Sequence, residues 1–247
     1  MTVELYFFQP LGSNSGRVFL TLLEKGVGFI ERELIGPDFE HLGPEYLAIN
    51  PKGQVPTLVH DGEPLTEGTA VCEYIDEAFE GPPLRPANLR ARWSMRRWCR
   101  YIDNEIGRCV MMIHWNRIVP VFVGARTPAE VEQIIARVPN ADRRMAWRNA
   151  YLQKTPPQEI TESRRRLAVA ARRIEAALTG GAWLCGPDFS LADIDLLNFY
   201  GFFPSWFPEL VNDSAAPNTL AWLNRMEARA AVRDMRARTR RRPEPSR

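Results

Sequence analysis

The chain has 247 residues, 45% hydrophobic and 25% charged, with a formal net charge of +2. That length allows one large domain or two small ones around a sizeable core, and the composition is that of a soluble globular protein, not of a disordered or membrane one. The small net charge argues against nucleic-acid binding. No apolar run approaches the roughly 20 residues of a membrane span, and the first ten residues lack a secretory leader's pattern, so a cytoplasmic location is expected.

The four cysteines, Cys72, Cys99, Cys109 and Cys185, form no C-x-x-C pair and read as buried reduced thiols. His41, His60 and His114 make no ligand cluster and no phosphate loop is present, so no metal, nucleotide or flavin is expected.

In chain order, residues 3–8 predict a short strand, 9–16 are rich in turn formers, and 18–24 carry helical spacing. Residues 29–35 alternate as a half-buried strand does, and 45–49 fit a short helix before Asn50-Pro51-Lys52-Gly53. Residues 55–60 and 63–65 flank Asp61-Gly62, a strong hairpin signal, and 66–79 read as a closing helix. The result is β-α-β-α-β-β-α, a mixed sheet with helices over its faces. Gly81-Pro82-Pro83-Leu84-Arg85-Pro86 breaks both periods and marks a domain boundary. Beyond it, helices are predicted over 90–119, 128–138, 157–178, 191–199 and 219–235. The arginine-rich stretch 164–173 reads as an exposed helix face, and Arg236, Arg238, Arg240, Arg241 and Arg242 as a helix end running into a solvated tail.

Two short segments suggest binding chemistry. Gln54-Val55-Pro56 opens a strand; a cis proline there leaves the Val55 N–H and C=O free to pair with an extended peptide, whereas a trans proline makes a plain loop. Glu67-Gly68-Thr69 starts a helix, whose unpaired amides attract a carboxylate while Glu67 offers a partner for an ammonium. Together they suit an α-amino-acid head group; the ordinary alternative is an N-cap with an acidic first turn. Further on, Ser190 and Asp193 have the spacing of a reciprocal helix cap.

The blocks Asn50-Pro51-Lys52-Gly53-Gln54-Val55-Pro56-Thr57-Leu58 and Leu65-Thr66-Glu67-Gly68-Thr69-Ala70-Val71-Cys72-Glu73-Tyr74-Ile75, with Phe189-Ser190-Leu191-Ala192-Asp193-Ile194-Asp195 later, resemble the glutathione transferase family in order and spacing. The resemblance implies an α/β thioredoxin-like N-terminal domain plus an all-α C-terminal domain: residues 1–81, a linker over 82–88, helices over 89–238 and a basic tail over 239–247. It also implies a homodimer with glutathione as cosubstrate. Val55 and Pro56, with Gln54, would meet the cysteinyl backbone of glutathione. Glu67, Gly68 and Thr69 would hold its γ-glutamyl end, and His41 or Lys52 its glycyl carboxylate. Gly68 stands where the family carries a serine, and Thr69 is expected to compensate in part.

The family activates the glutathione thiol from the loop after the first strand, where this chain offers Ser13, Asn14 and Ser15 and no cysteine, which argues against mixed-disulfide chemistry. Ser15 is the first choice, being nearest the helix start, with Asn14 second. Asn14-Ser15, Glu24-Lys25-Gly26, Phe39-Glu40, Leu84-Arg85-Pro86 and His114-Trp115 narrow the resemblance to the glutathione-dependent β-etherases of lignin-degrading bacteria, the β(S)-selective type. The implied reaction is thiolate attack at the carbon beside an aryl ketone, with release of a phenol. An aromatic pocket is expected from Met111, Met112, His114, Trp115, Tyr200, Phe202 and Trp206, bordered by Gln9 and Pro10. A general transferase for other electrophiles and a non-catalytic glutathione-binding scaffold are the alternatives.

Overall fold

A computed structural model describes residues 1–9 and 14–240. The expectations for Pro10, Ser13, Arg241 and Arg242 fall on residues outside this description.

Strand β1 (Val3–Phe7) alternates buried and half-buried positions, so Val3, Leu5 and Phe7 share one face. Helix α1 (Ser15–Lys25) follows and ends at Gly26, whose φ of 75° lets its N–H reach the Leu22 and Leu23 carbonyls. Strand β2 (Ile30–Glu33) lies parallel to β1. Two single 3₁₀ turns and helix α2 (Pro44–Ile49) lead to β3 (Thr57–His60), antiparallel to β1 and to β4 (Glu63–Leu65). Asp61 and Gly62 both take positive φ, 48° and 88°, the backbone a tight two-residue hairpin needs. The sheet order is β2-β1-β3-β4. Helix α3 (Gly68–Ala78) packs beside α1, while Tyr46 of α2 meets Tyr6 on the opposite face of β1.

After residues 82–88 the chain is helical. Helix α4 (Leu89–Tyr101) is capped by Asn88, whose Oδ1 accepts from the Arg90 and Ala91 amides. It passes through a π-helical turn (Ile102–Gly107) into α5 (Arg108–Val123), so the helix expected over 90–119 carries an inserted turn that holds Asp103 and Asn104. Then come α6 (Pro128–Ala136), α7 (Ala141–Tyr151), α8 (Pro157–Thr179), α9 (Leu191–Tyr200), the single turn α10 (Phe203–Trp206), α11 (Pro217–Glu227) and α12 (Ala230–Arg240). Helix α7 carries little apolar periodicity in the sequence, since only Trp147 and Ala150 of its side chains are buried. The helix expected over 219–235 is two, separated at Ala228 and Arg229, where Arg229 turns to a bidentate pair with Glu24 of α1.

One hydrophobic core runs through both halves and includes Leu20 and Leu22 of α1, Ile75 of α3, Ile106 and Ile194. The 82–88 segment is held against it. Asp76 Oδ1 accepts from Lys25 Nζ at 2.9 Å and from Leu84 N at 2.8 Å, and the Leu84 carbonyl accepts from Leu191 N at 2.9 Å. The arginine stretch of α8 is only partly the exposed face expected: Arg166 pairs with Glu105, and Arg173 lies 4.0 Å from the centroid of Tyr101. Near the C-terminus, Arg236 and Arg238 lie in the helix end expected there, Arg236 pairing with Glu227 and Arg238 with Glu31 of β2 and Asp234.

The Ser190–Asp193 element lies in the core. Asp193 Oδ2 accepts from the Ser190 amide and hydroxyl, and Oδ1 accepts from Leu184 N and Trp222 Nε1, both at 3.0 Å. Burial nevertheless pushes its carboxyl up to about 6. Asp193→Ala leaves these donors buried and unpaired, so denaturant unfolding should show a loss of about 3 kcal/mol or more, with a smaller loss for Asp193→Asn.

Candidate functional site

Asn50 and Tyr46 shape the first wall. The buried Asn50 side chain accepts from Lys52 N at 3.1 Å and donates to the Gln54 carbonyl at 2.8 Å and to Thr57 Oγ1 at 3.0 Å; the Tyr46 hydroxyl donates to the same Gln54 carbonyl. Gly53 turns the chain at φ 57°, and a Cβ there would stand 3.0 Å from Leu42 and 3.1 Å from the His41 carbonyl. The Val55–Pro56 bond is cis.

The second wall is the start of α3. Glu67 holds φ 69°, a strained value for a non-glycine residue of the kind that clusters at functional sites. Its carboxylate pairs with Lys52 Nζ, and both side chains are more than half exposed. Such a pair is worth only about 0–1 kcal/mol and opens at little cost. The Thr69 hydroxyl accepts from Arg17 Nη1 at 2.6 Å and donates to Asp103 Oδ2 at 2.5 Å.

Between these walls lies a cavity of about 310 Å³ that gathers Lys52, Gln54, Val55, Pro56, Glu67, Gly68 and Thr69. All seven were named from the sequence. Arg17, Asn50, Asp103 and Asn104 also line it and were missed as site residues: Arg17, Asp103 and Asn104 come from α1 and the π turn and share no motif with the others, while Asn50 heads the 50–58 block but was given no role of its own. Arg17 is 3% exposed and its Nη2 lies 2.7 Å from Asp103.

His41 is not in this cavity. It is 4% exposed, and its ring meets Phe8 at 4.9 Å and Phe39 at 6.1 Å. Burial first, then Arg143 and Arg137, lower its pKa to about 4, so it is neutral and walled off from any glycyl carboxylate. Lys52 is the basic group of that pair that faces the cavity.

A second cavity of about 300 Å³ adjoins the start of α1 and is mostly apolar, with Met111, His114, Phe202 and Trp206 among its walls. The aromatic run after α9 is divided by the single turn α10: Phe202 and Trp206, four residues apart, face the cavity, whereas Phe203 and Phe207 are buried in the core. Tyr200 is fully buried against Phe203, 3.9 Å between centroids, and lies beneath the wall. Met112 and Trp115, each one position past Met111 and His114 on α5, are rotated off the cavity, and Trp115 packs on Trp147 of α7. Gln9 is half-buried and lines neither cavity.

Asn14 lines both cavities. Ser15, the first choice from sequence, is fully buried behind it, and its Oγ accepts from Phe8 N at 3.3 Å. In the apolar cavity, Asn198 Nδ2 and His114 Nδ1 are buried without hydrogen-bond partners among the described residues. Burial, with Arg117 nearby, lowers the His114 pKa to about 4, so its imidazole is neutral at pH 7.

Residues 12–78 match the glutathione S-transferase N-terminal domain, and residues 110–230 the glutathione S-transferase C-terminal domain. The chain belongs to the glutathione S-transferase family. Protein LigF of Sphingobium sp. (strain SYK-6) is 35% identical to this transferase over 242 residues, 95% of this chain and 93% of LigF. A crystal structure of the beta-etherase LigF from that strain is similar with a TM-score of 0.92 at 34% identity, covering 96% of the transferase and 100% of LigF. A glutathione transferase homolog from Sulfitobacter with bound glutathione has the same fold, with a TM-score of 0.67 at 23% identity over 96% of this chain and 98% of its own.

The position of His41 gives a pH signature. Its folded pKa of about 4 lies below the ordinary 6.5, so between those values the unfolded transferase binds a proton that the folded one does not. The stability this histidine contributes is full above pH 6.5 and falls as pH drops towards about 4. His41→Phe should flatten the loss of urea stability across that window; an unchanged slope would show that His41 is charged in the folded protein.

Proposed function

We propose that this transferase is a glutathione-dependent β-etherase, cleaving the β-aryl ether bond of aryl ketones of the kind derived from lignin. The observation that carries the reading is the meeting of two cavities at Asn14, one polar and built from the glutathione-family residues, the other apolar and aromatic. Likeness to the beta-etherase LigF over almost the whole chain supports it. Following the family resemblance, we also take the chain to act in the cytoplasm as a homodimer.

In this reaction the glutathione sulfur forms a C–S bond at the carbon beside the ketone as the C–O bond breaks, and the electron pair leaves with the aryloxide, which takes a proton from solvent. Val55 offers its backbone to the cysteinyl unit. Glu67 releases Lys52 to take the ligand's ammonium, and Lys52 turns to the glycyl carboxylate, an exchange favoured by how little their exposed pair contributes. Asn14 donates to the sulfur, and the positive end of α1 adds to the stabilisation of a thiolate. Ser15, buried behind Asn14, supports that helix start and acts on the sulfur through it. The aryl rings lie against Met111, Phe202 and Trp206, while Asn198 and the neutral His114 offer hydrogen bonds to the ketone or to the departing oxygen.

Two outcomes follow. Glu67→Ala should raise the glutathione concentration needed for half-saturation about tenfold or more while leaving the circular dichroism spectrum unchanged. Asn14→Ala should raise the pKa of the bound thiol by about one unit or more, read from thiolate absorbance, Ser15→Ala should raise it less, and the double variant should exceed either. For the activity itself, the purified protein should consume a β-aryl ether ketone in the presence of glutathione faster than a chloronitroarene. Turnover of the chloronitroarene alone would mark a general transferase, and glutathione binding without turnover of either would mark a scaffold.

A further inference from the structure

Helix α12 sends Arg236 into the wall of the apolar cavity. Among the described residues that line this cavity, Arg236 alone carries a charge at pH 7, since Asn14 and Asn198 are amides and burial keeps His114 neutral. Its side chain is 26% exposed. Nε and Nη2 donate to the two carboxylate oxygens of Glu227 on α11. That fork fixes the plane of the guanidinium. It leaves Nη1 without an acceptor among the described residues.

The place of this cation along the cavity follows from the way α12 passes α1. Arg229 pairs with Glu24, and the Arg238 guanidinium lies 5.9 Å from the centroid of Phe19. The two helices therefore run in opposite directions, and Met235 and Arg236 come in at the level of Leu20. Leu20 lies about 9 Å along α1 from Asn14, and both line the cavity. Asn14 and the polar cavity are thus at one end of the apolar slot and Arg236 is towards the other. Displacement at a saturated carbon expels the leaving group opposite the attacking atom. With the sulfur at Asn14, the breaking C–O bond points towards Arg236, and negative charge grows on the aryl oxygen at that side.

We infer that Arg236 is a catalytic residue of the ether cleavage, its Nη1 donating to the departing aryl oxygen, with Glu227 as the positioning residue that holds its fork. The inference rests on the reading of the apolar cavity as the site of ether cleavage. As the C–S bond forms, the electron pair of the C–O bond passes to the aryl oxygen beside Arg236, and the aryloxide takes a proton from solvent as it leaves. Asn198 and His114 remain for the ketone. A cation already fixed in an apolar wall stabilises charge that appears only in the transition state, without reorganisation at the moment of reaction. Phenols of ordinary acidity, which are poor leaving groups, then become usable ones.

The test is the dependence of kcat/KM, at saturating glutathione, on the acidity of the phenol released from a series of β-aryl ether ketones running from the 4-nitrophenyl to the phenyl ether. The wild-type protein should show a shallow dependence. Arg236→Gln should slow the phenyl ether about tenfold to a hundredfold yet stay within about threefold of wild type on the 4-nitrophenyl ether, whose oxygen holds its charge unaided. Arg236→Lys keeps a cation opposite Glu227 and so protects the folding of α12; it should steepen the dependence in the same sense by a smaller amount, as should Glu227→Gln. Glutathione affinity, measured by calorimetry, should be unchanged in all three. Equal losses across the whole series in Arg236→Gln and Arg236→Lys, or no loss in either, overturn the role of Arg236. Absence of turnover of every ether by the wild-type protein overturns the β-etherase reading itself, and this inference with it.

Discussion

A buried cation on α1 joins the two halves of this molecule. Arg17 leaves α1, contacts Thr69 of α3, and pairs with Asp103 of the π turn and Asp195 of α9. Burying Arg17 and Asp195 together is expensive unless their geometry is good. Asp195 shows the cost, since burial lifts its carboxyl to about 6 even with Arg17 beside it. The inserted π turn fits this arrangement: it sets Asp103 at the cavity wall and at the guanidinium together. The interdomain contact and the polar cavity therefore share the same atoms, and neither can be altered alone.

The chemistry is divided by polarity. Charged and amide groups gather where β3 and α3 begin, and aromatic groups gather between α5 and α9, with Asn14 at the seam. None of the protein's own thiols is suited to compete. Cys72 and Cys99 are buried, and burial pushes the Cys72 thiol up to about 12 and Cys99 well above its usual range. The arrangement suits a reaction in which an external thiol does the bonding and the protein holds, orients and stabilises charge.

Sequence reasoning succeeded where the signal was local. Asp61-Gly62 specifies its own turn, and the residue 50–58 and 65–75 blocks carry their site residues at fixed spacing, so seven of them fall in one cavity. It failed where tertiary contacts decide. Ser15 and Asn14 are adjacent, yet only the path of the helix buries one and exposes the other. His41 reads as an available cation until Phe8 and Phe39 enclose it. Met111 and Met112 differ by one step of helix rotation that no motif records. Arg17 stayed hidden as a cavity residue because its partner Thr69 lies 52 residues away in sequence.

Helix α12, the last described helix of the chain, contributes Met235 and Arg236 to the wall of the apolar cavity. It is held by apolar packing, with Val232 and Met235 buried in the core, and by ion pairs partly reached by solvent: Arg229 on Glu24 just before it, Arg236 on Glu227 and Arg238 on Glu31. Pairs of that kind are screened over about a Debye length as salt rises. One side of the apolar cavity thus rests in part on pairs that rising ionic strength weakens, while its buried residues do not feel the salt.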